Sequence, residues 1–201
     1  ANGSHKIKLI VLDPGHFHAS LLQKDTLTDV NDTIHVYAPA GTGFNQYMES
    51  INSYNQRTEA PTSWVSQVYT GDDYLSQMLA GQTGDVVVLA GNNQKKAQYI
   101  IQSIKAGYNV LSDKPLAINQ KDFNLLVEAY RLAKEKKLLL YDLMTERYDI
   151  LNIIEKELLQ KKELFGELQQ GSPESTSITM ESVNHFFKNV SGKPLIRHAW
   201  F

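Results

Sequence analysis

Residues Asp85–Asn93 read DVVVLAGNN, and residues Asn109–Ala117 read NVLSDKPLA. Each opens as a short apolar run rich in β-branched residues and closes in a polar loop. Between them Asn93–Ala106 reads as a helix stopped by Gly107, the residue type that tolerates the left-handed conformation past a helix end. Strand, helix and strand in this order, with strands apolar throughout, indicate a parallel sheet covered on both faces.

The same rhythm extends in both directions. Strands are expected at Lys6–Leu12, Ile34–Ala38, Gln67–Thr70 and Leu138–Asp142. Helices are expected at Phe17–Thr26, Asp72–Ala80, Asn119–Glu135 and Arg147–Gln160. The stretch Ala40–Ser63 is rich in Gly, Asn, Ser, Thr and Gln. It reads as an insertion over one edge of the sheet, with a polar helix available over Gln46–Arg57. After Gly166 the pattern becomes polar, loop-rich and strand-like, over Gly166–Gln170 and Thr176–Asn189, and the chain stops at Phe201 within an apolar run. The expected architecture is a Rossmann-like, doubly wound α/β domain over residues 1–145. A linker helix and the truncated beginning of an α+β second domain follow over 146–201.

Composition narrows the function classes. A formal net charge of -2 gives no electrostatic footprint for nucleic acid or an anionic membrane. No apolar run approaches the length of a membrane span. The chain has no cysteine, which excludes disulfides, thiolate metal sites and cysteine nucleophiles. It begins Ala1-Asn2-Gly3-Ser4 without methionine, which suits removal of a leader.

In parallel sheets the functional loops lie at the carboxyl ends of the strands. The first strand ends in Asp13-Pro14-Gly15-His16-Phe17-His18. A dinucleotide site wants G-x-G-x-x-G here, so that the backbone can turn tightly and approach a pyrophosphate. Only the middle glycine, Gly15, is present. Asp13 and His18 stand at the outer glycine positions, and the Asp13 carboxylate would repel a pyrophosphate unless screened. The second strand ends Tyr37-Ala38-Pro39-Ala40, without the acid that holds an adenosine 2′-OH or the arginine that accepts a 2′-phosphate. His16 and His18 also form a His-x-His pair of the kind found in metallohydrolases. Asp113 and Asp142 are available as further ligands, but no later strand end supplies another histidine, so no metal is assigned.

The segment from Asp85 to Ala117 resembles the Gfo/Idh/MocA oxidoreductases, named for glucose–fructose oxidoreductase and inositol dehydrogenase. Gly91-Asn92-Asn93 stands for that family's T-P-N loop, and Asp113-Lys114-Pro115 for its E-K-P triplet. Residues Tyr141–Tyr148 and Phe165-Gly166-Glu167-Leu168 resemble its passage into the second domain, so the resemblance runs over about residues 6–170. It implies an NAD- or NADP-dependent hydride transfer to or from a sugar or polyol hydroxyl. Lys114 would orient the hydroxyl and help move its proton, and partial burial would suit it to that work. Pro115 would be cis. Asp13, Gly15, His16, Phe17, Gly91, Asn92, Asn93, Asp113 and Pro115 would lie along the cofactor, with Asn93 equally able to cap the following helix. Arg147 would lie on the substrate side. The family's remaining catalytic groups would fall beyond residue 201, and His185 and His198 match no motif. Two alternatives stand beside this reading: a degenerate homologue that binds nucleotide or sugar without turnover, and an NAD-dependent glycoside hydrolase on the same fold. The resemblance also implies homo-oligomers formed through the second domain. A cytoplasmic location is the family default, with export as the alternative because of the N-terminus.

Overall fold

The computed structural model describes residues 6–144, 146–167, 169–179, 187–190 and 193–196. Two compact units divide the chain, at Ala1–Leu143 and Met144–Ala199.

The first unit is built on six parallel strands: β1 (Leu9–Leu12), β2 (Thr33–Ala38), β3 (Val65–Thr70), β4 (Val86–Leu89), β5 (Asn109–Asp113) and β6 (Leu140–Leu143). Their order is β3-β2-β1-β4-β5-β6. The chain leaves β1 toward one edge and returns at β4 to build toward the other. The carboxyl ends of β1 and β4 therefore flank a topological switch point, where open α/β sheets bind ligands. β4, the clearest strand in the sequence, is central, as expected.

Alternation of side chains along the strands creates two cores. Leu9, Val11, Ile34, Val36 and Val88 face one side, where Ala19 of α1 (His18–Leu21) and Tyr47 and Ile51 of α2 (Thr42–Gln56) cover them. Ile10, Leu12, Val87, Leu89 and Val110 face the other, beneath α3 (Tyr74–Gly81), α4 (Lys96–Ala106) and α5 (Gln120–Lys136). Gly107 ends α4 at φ 96°, the left-handed cap foreseen. Asn119 caps α5 by accepting from the Asp122 backbone N–H at 2.9 Å.

Three expectations are corrected. Ala40–Ser63 is not an insertion: α2 is the regular crossover from β2 to β3, and its Tyr47 and Ile51 are buried against the sheet. Phe17–Thr26 is not a full helix, because α1 is a single turn. Residues 166, 167, 169 and 170 form no strand.

In the second unit α6 (Ile150–Leu159) starts at Asp149, whose side chain accepts from the backbone N–H groups of Leu151 and Asn152. A short α7 (Lys162–Phe165) ends at Gly166. An antiparallel pair follows, β7 (Phe187–Val190) with β8 (Lys193–Ile196). Residues 180–186, and with them His185, lie outside the described residues, as does His198. No helix among the described residues is long and apolar enough to cross a membrane.

Candidate functional site

The loop after β1 solves the missing-glycine problem in its own way. Asp13 takes the first glycine's position and its left-handed backbone, at φ 47°, a region Asp tolerates better than most residues. Its carboxylate accepts a hydrogen bond from the Tyr99 hydroxyl at 2.7 Å, and Tyr99 pairs with the Tyr74 hydroxyl at 2.5 Å. Burial, and then the negative Asp13 beside it, push the Tyr99 hydroxyl far above the ordinary tyrosine range, so it stays a donor.

Two neighbouring glycines clamp this loop. A Cβ on Gly91 would lie 2.2 Å from the Asp13 carbonyl oxygen, and one on Gly43 would lie 2.9 Å from the Gly15 Cα. Glycine at 91, where the family pattern has threonine, lets the β1 and β4 loops touch through a Pro14–Gly91 bridge. The backbone N–H groups of Gly15 and His16 both donate to the Ala90 carbonyl, at 3.2 and 3.1 Å. The loop thus does not present these two donors freely to an anion, and the turn that follows is too short to add a helix dipole. A cleft beside it is lined by Gly15, His16, Phe17, Gly43, Tyr47 and Ser50, among others.

The loop after β5 lies across the switch point from this one. Asp113 is buried, and Lys114 and Pro115 are exposed. The Lys114–Pro115 peptide is cis, as the resemblance implied. Asp113 Oδ1 accepts the Lys114 backbone N–H at 2.9 Å, which fixes the carboxylate's orientation. Oδ2 then meets two imidazoles from the β1 loop, His18 Nδ1 at 2.9 Å and His16 Nδ1 at 3.2 Å. Burial alone would raise the Asp113 pKa, but contacts with both histidines hold it well below the usual carboxylate range. Burial lowers His16, against the opposing pull of Asp113.

Beneath the turn lies Lys96, only 2% exposed. Its ammonium donates to Asn93 Oδ1 at 2.7 Å and to the carbonyls of Asp113 and Pro115 at 3.0 Å each. Three donors meet three acceptors, so the group is fully satisfied. Burial pushes its pKa down to about 8; Asp113 opposes that shift and Lys114 adds to it.

The structure therefore brings Asp13, Gly15, His16, Gly91, Asn93, Asp113 and Lys114 to one edge of the sheet. Phe17 is largely exposed beside them. Asn93 does not cap α4; the Asn92 side chain takes the N–H groups of Gln94 and Lys95, and Asn93 instead receives Lys96. Lys114 is exposed, contrary to the expected partial burial. Arg147 belongs to the second unit and is exposed in the turn at 146–148. Asp142 lies on β6, outside the His16–His18–Asp113 group. Sequence reading missed Lys96 and Tyr99. Lys96 had a signal: it stands one residue before Ala97 and four before Ile100 on the buried stripe of α4, where an ordinary lysine does not belong.

Comparison with known proteins gives the family and the fold. Residues 16–142 match the model of an "oxidoreductase family, NAD-binding Rossmann fold", and residues 154–201 match a "putative oxidoreductase C terminal domain". A crystal structure of a "putative oxidoreductase" from Parabacteroides merdae is 48% identical, with a TM-score of 0.91 over 98% of this chain and 45% of its own. Two remoter structures share the fold. Biliverdin reductase from Synechocystis sp. PCC 6803, solved with biliverdin and NADP+, has 14% identity and a TM-score of 0.56 over 76% of this chain and 42% of its own. The WlbA dehydrogenase from Bordetella pertussis, solved with NADH and UDP-GlcNAcA, has 21% identity and a TM-score of 0.50 over 77% of this chain and 43% of its own. No curated protein matches. The chain thus spans less than half the length of these solved relatives. The match over residues 16–142, joined to the near-complete superposition on the Parabacteroides protein, shows that this chain belongs to the Gfo/Idh/MocA oxidoreductase family, whose N-terminal domain is described as an NAD-binding Rossmann fold.

Proposed function

We propose that this chain is the nucleotide-binding part of an NAD- or NADP-dependent oxidoreductase acting on a sugar or polyol hydroxyl, with Lys114 as the group that handles the reacting hydroxyl. One observation carries the reading. The Lys96 ammonium holds the carbonyls of Asp113 and Pro115, so the backbone on both sides of Lys114 is anchored from below. A surface turn with no duty toward a ligand has no need of a buried cation beneath it.

A dinucleotide fits the switch-point crevice. Glycines at 43 and 91 let the adjoining backbone pack closely against this loop, beside the cleft that Tyr47 and Ser50 also line. Gly15, His16 and Phe17 would border the pyrophosphate, and Gly91, Asn92, Asn93, Asp113 and Pro115 the nicotinamide side. The Asp13 carboxylate, engaged by Tyr99, is taken up within the protein, which reduces the repulsion that its position suggests. When bound, the nicotinamide supplies the carbon that accepts or returns hydride. Lys114, at the carboxyl end of β5, can hydrogen-bond a substrate hydroxyl and exchange a proton with it. Arg147 would contact the substrate, residues 1–145 and 146–201 would be the nucleotide and second domains, and homo-oligomers would assemble through the second.

The test is Lys114→Ala in the complete protein, with a panel of sugars and polyols and reduced-nicotinamide absorbance as readout. Turnover should fall by about 10²–10⁴-fold, as for loss of an acid–base group, while cofactor affinity changes little. Unchanged turnover would remove Lys114 from the chemistry. A specific observation favours a second reading, binding without turnover: the Gly15 and His16 N–H groups are already spent on Ala90, and β2 ends without a ribose-binding acid. Under that reading no substrate in the panel would change the nicotinamide absorbance, even with cofactor bound.

A further inference from the structure

We infer that His16, His18 and Asp113 form a binding site for one divalent transition-metal ion of the zinc class. The inference does not rest on the hydride-transfer reading.

The three side chains come from two loops that are distant in sequence and joined only by the strand order. His16 and His18 follow β1; Asp113 ends β5; β4 runs between. Their ligating atoms lie within 4.8 Å of one another. Both imidazole Nδ1 atoms approach the same carboxylate oxygen, at 2.9 and 3.2 Å. Donors bound at about 2.0–2.2 Å to one ion are separated by about 2.9–3.4 Å, depending on tetrahedral or octahedral angles. The two nitrogen–oxygen spacings fall in that range. The His16 and His18 rings stand edge to face, with centroids 4.1 Å apart and an interplanar angle of 72°.

The carboxylate is also prepared as a ligand. Its other oxygen is occupied by the Lys114 N–H, so Oδ2 is turned toward the histidines by a fixed outer contact. Such outer contacts orient the ligands of functional metal sites. With no ion the same atoms form hydrogen bonds, each imidazole donating its Nδ1–H to Oδ2. An ion bound at Nδ1 requires the other tautomer of each neutral ring, its single proton moving through solvent from Nδ1 to Nε2.

The chemistry selects the ion. Two imidazole nitrogens and one carboxylate oxygen suit zinc, cobalt and nickel, and suit magnesium or calcium poorly. The Lys96 and Lys114 ammonium groups nearby oppose any cation, so only strong nitrogen coordination would prevail. Three protein ligands leave a fourth position open, the arrangement of centres that bind a water or a ligand hydroxyl oxygen. His16 also lines the cleft beside Gly15 and Gly43, so one of the three ligands borders open space.

The experiment is a Co2+ titration of the complete, chelator-stripped protein, followed by d–d absorption and by metal content after gel filtration. One equivalent should bind with the intense visible bands of a low-coordinate nitrogen–oxygen site. His18→Ala and Asp113→Asn should each weaken binding at least tenfold, with His18→Gln as a milder variant should His18→Ala fail to fold. His35→Ala should change nothing. Lys114→Ala should bind Co2+ as well as or better than the parent, since a repelling charge is gone; this holds whether or not Lys114 turns over substrate, so the two proposals fail separately. Stoichiometry and spectrum unaffected by His18→Ala and Asp113→Asn, or no saturable binding by the parent, would overturn the inference and leave the three residues as a hydrogen-bonded cluster.

Discussion

Replacing Lys96 by Met tests the architecture beneath the Asp113–Pro115 turn. Met fills much the same volume but removes the ammonium and its three hydrogen bonds. Two effects oppose each other. The Asn93, Asp113 and Pro115 oxygens lose their donor, and a buried acceptor left unpaired costs about 1–3 kcal/mol. Against this, the burial that lowers the lysine pKa from 10.5 to about 8 is no longer opposed by a charge, a relief of roughly 3 kcal/mol at most. With three acceptors affected, the lost bonds cost about 3–9 kcal/mol, so the net should be a loss of up to about 6 kcal/mol, read as a lower thermal midpoint. The functional loss should be larger, because a turn displaced by about 1 Å can cost on the order of 10²-fold in rate. The pH dependence separates this account from simple packing. Below about pH 8 the lysine is protonated in both folded and unfolded states, and the full burial cost is present. Between about 8 and 10.5 the unfolded chain holds the proton and the folded one does not, so stability rises with pH. Asp113 and Lys114 are the charges acting on it, and both are retained in the variant. Between pH 7 and pH 10 the gap measured by denaturant unfolding should therefore widen in the parent's favour, because only the parent carries the titrating group. A difference between the two proteins that is the same at both pH values, together with normal turnover, would refute the reasoning.

Three further outcomes follow. Asp13→Asn should leave nucleotide affinity, measured by calorimetry, within about threefold while lowering stability by about 1–2 kcal/mol, because Tyr99 loses a charged acceptor; a marked gain in affinity would show that the carboxylate does face phosphate. Gly91→Ala should prevent the β1 and β4 loops from meeting, since its Cβ would sit 2.2 Å from a backbone oxygen, and a melting curve matching the parent's would contradict the close approach. Lys114→Arg should restore little of the turnover lost in Lys114→Ala, because a guanidinium can donate to a hydroxyl but cannot accept its proton; near-parental rates would assign Lys114 to binding alone.

The sheet was legible because its central strands are apolar on both sides. VVVLA at 86–90 has no polar position to expose, so a central strand accommodates it, and β4 is that strand. The helix limits were legible where a backbone rule operates, as at Gly107 and Asn119. Reading failed where tertiary contacts override local preference. The polar composition of Thr42–Gln56 hid not the helix but its role as the crossover from β2 to β3, because its burial rests on only Tyr47 and Ile51. Phe17–Thr26 has helical residues, yet the Gly15 and His16 N–H groups are drawn to Ala90 and the chain turns only once.

The site divides in the same way. Lys114 and Asp113 were singled out by their place in a triplet at a strand end, and the structure puts that triplet at the end of β5. The departures from the glycine fingerprint looked like losses: Asp13 for one glycine and His18 for another. In three dimensions each replacement has acquired a partner, Asp13 with Tyr99 and His18 with Asp113, across 86 and 95 residues of sequence. An eroded loop would leave such charged or polar groups unpaired at a solvent-facing edge. Two compensated substitutions, together with glycines at 43 and 91 that keep the adjoining backbone close, describe a loop rebuilt around its own polar contacts, and this favours a working ligand site over a decayed one.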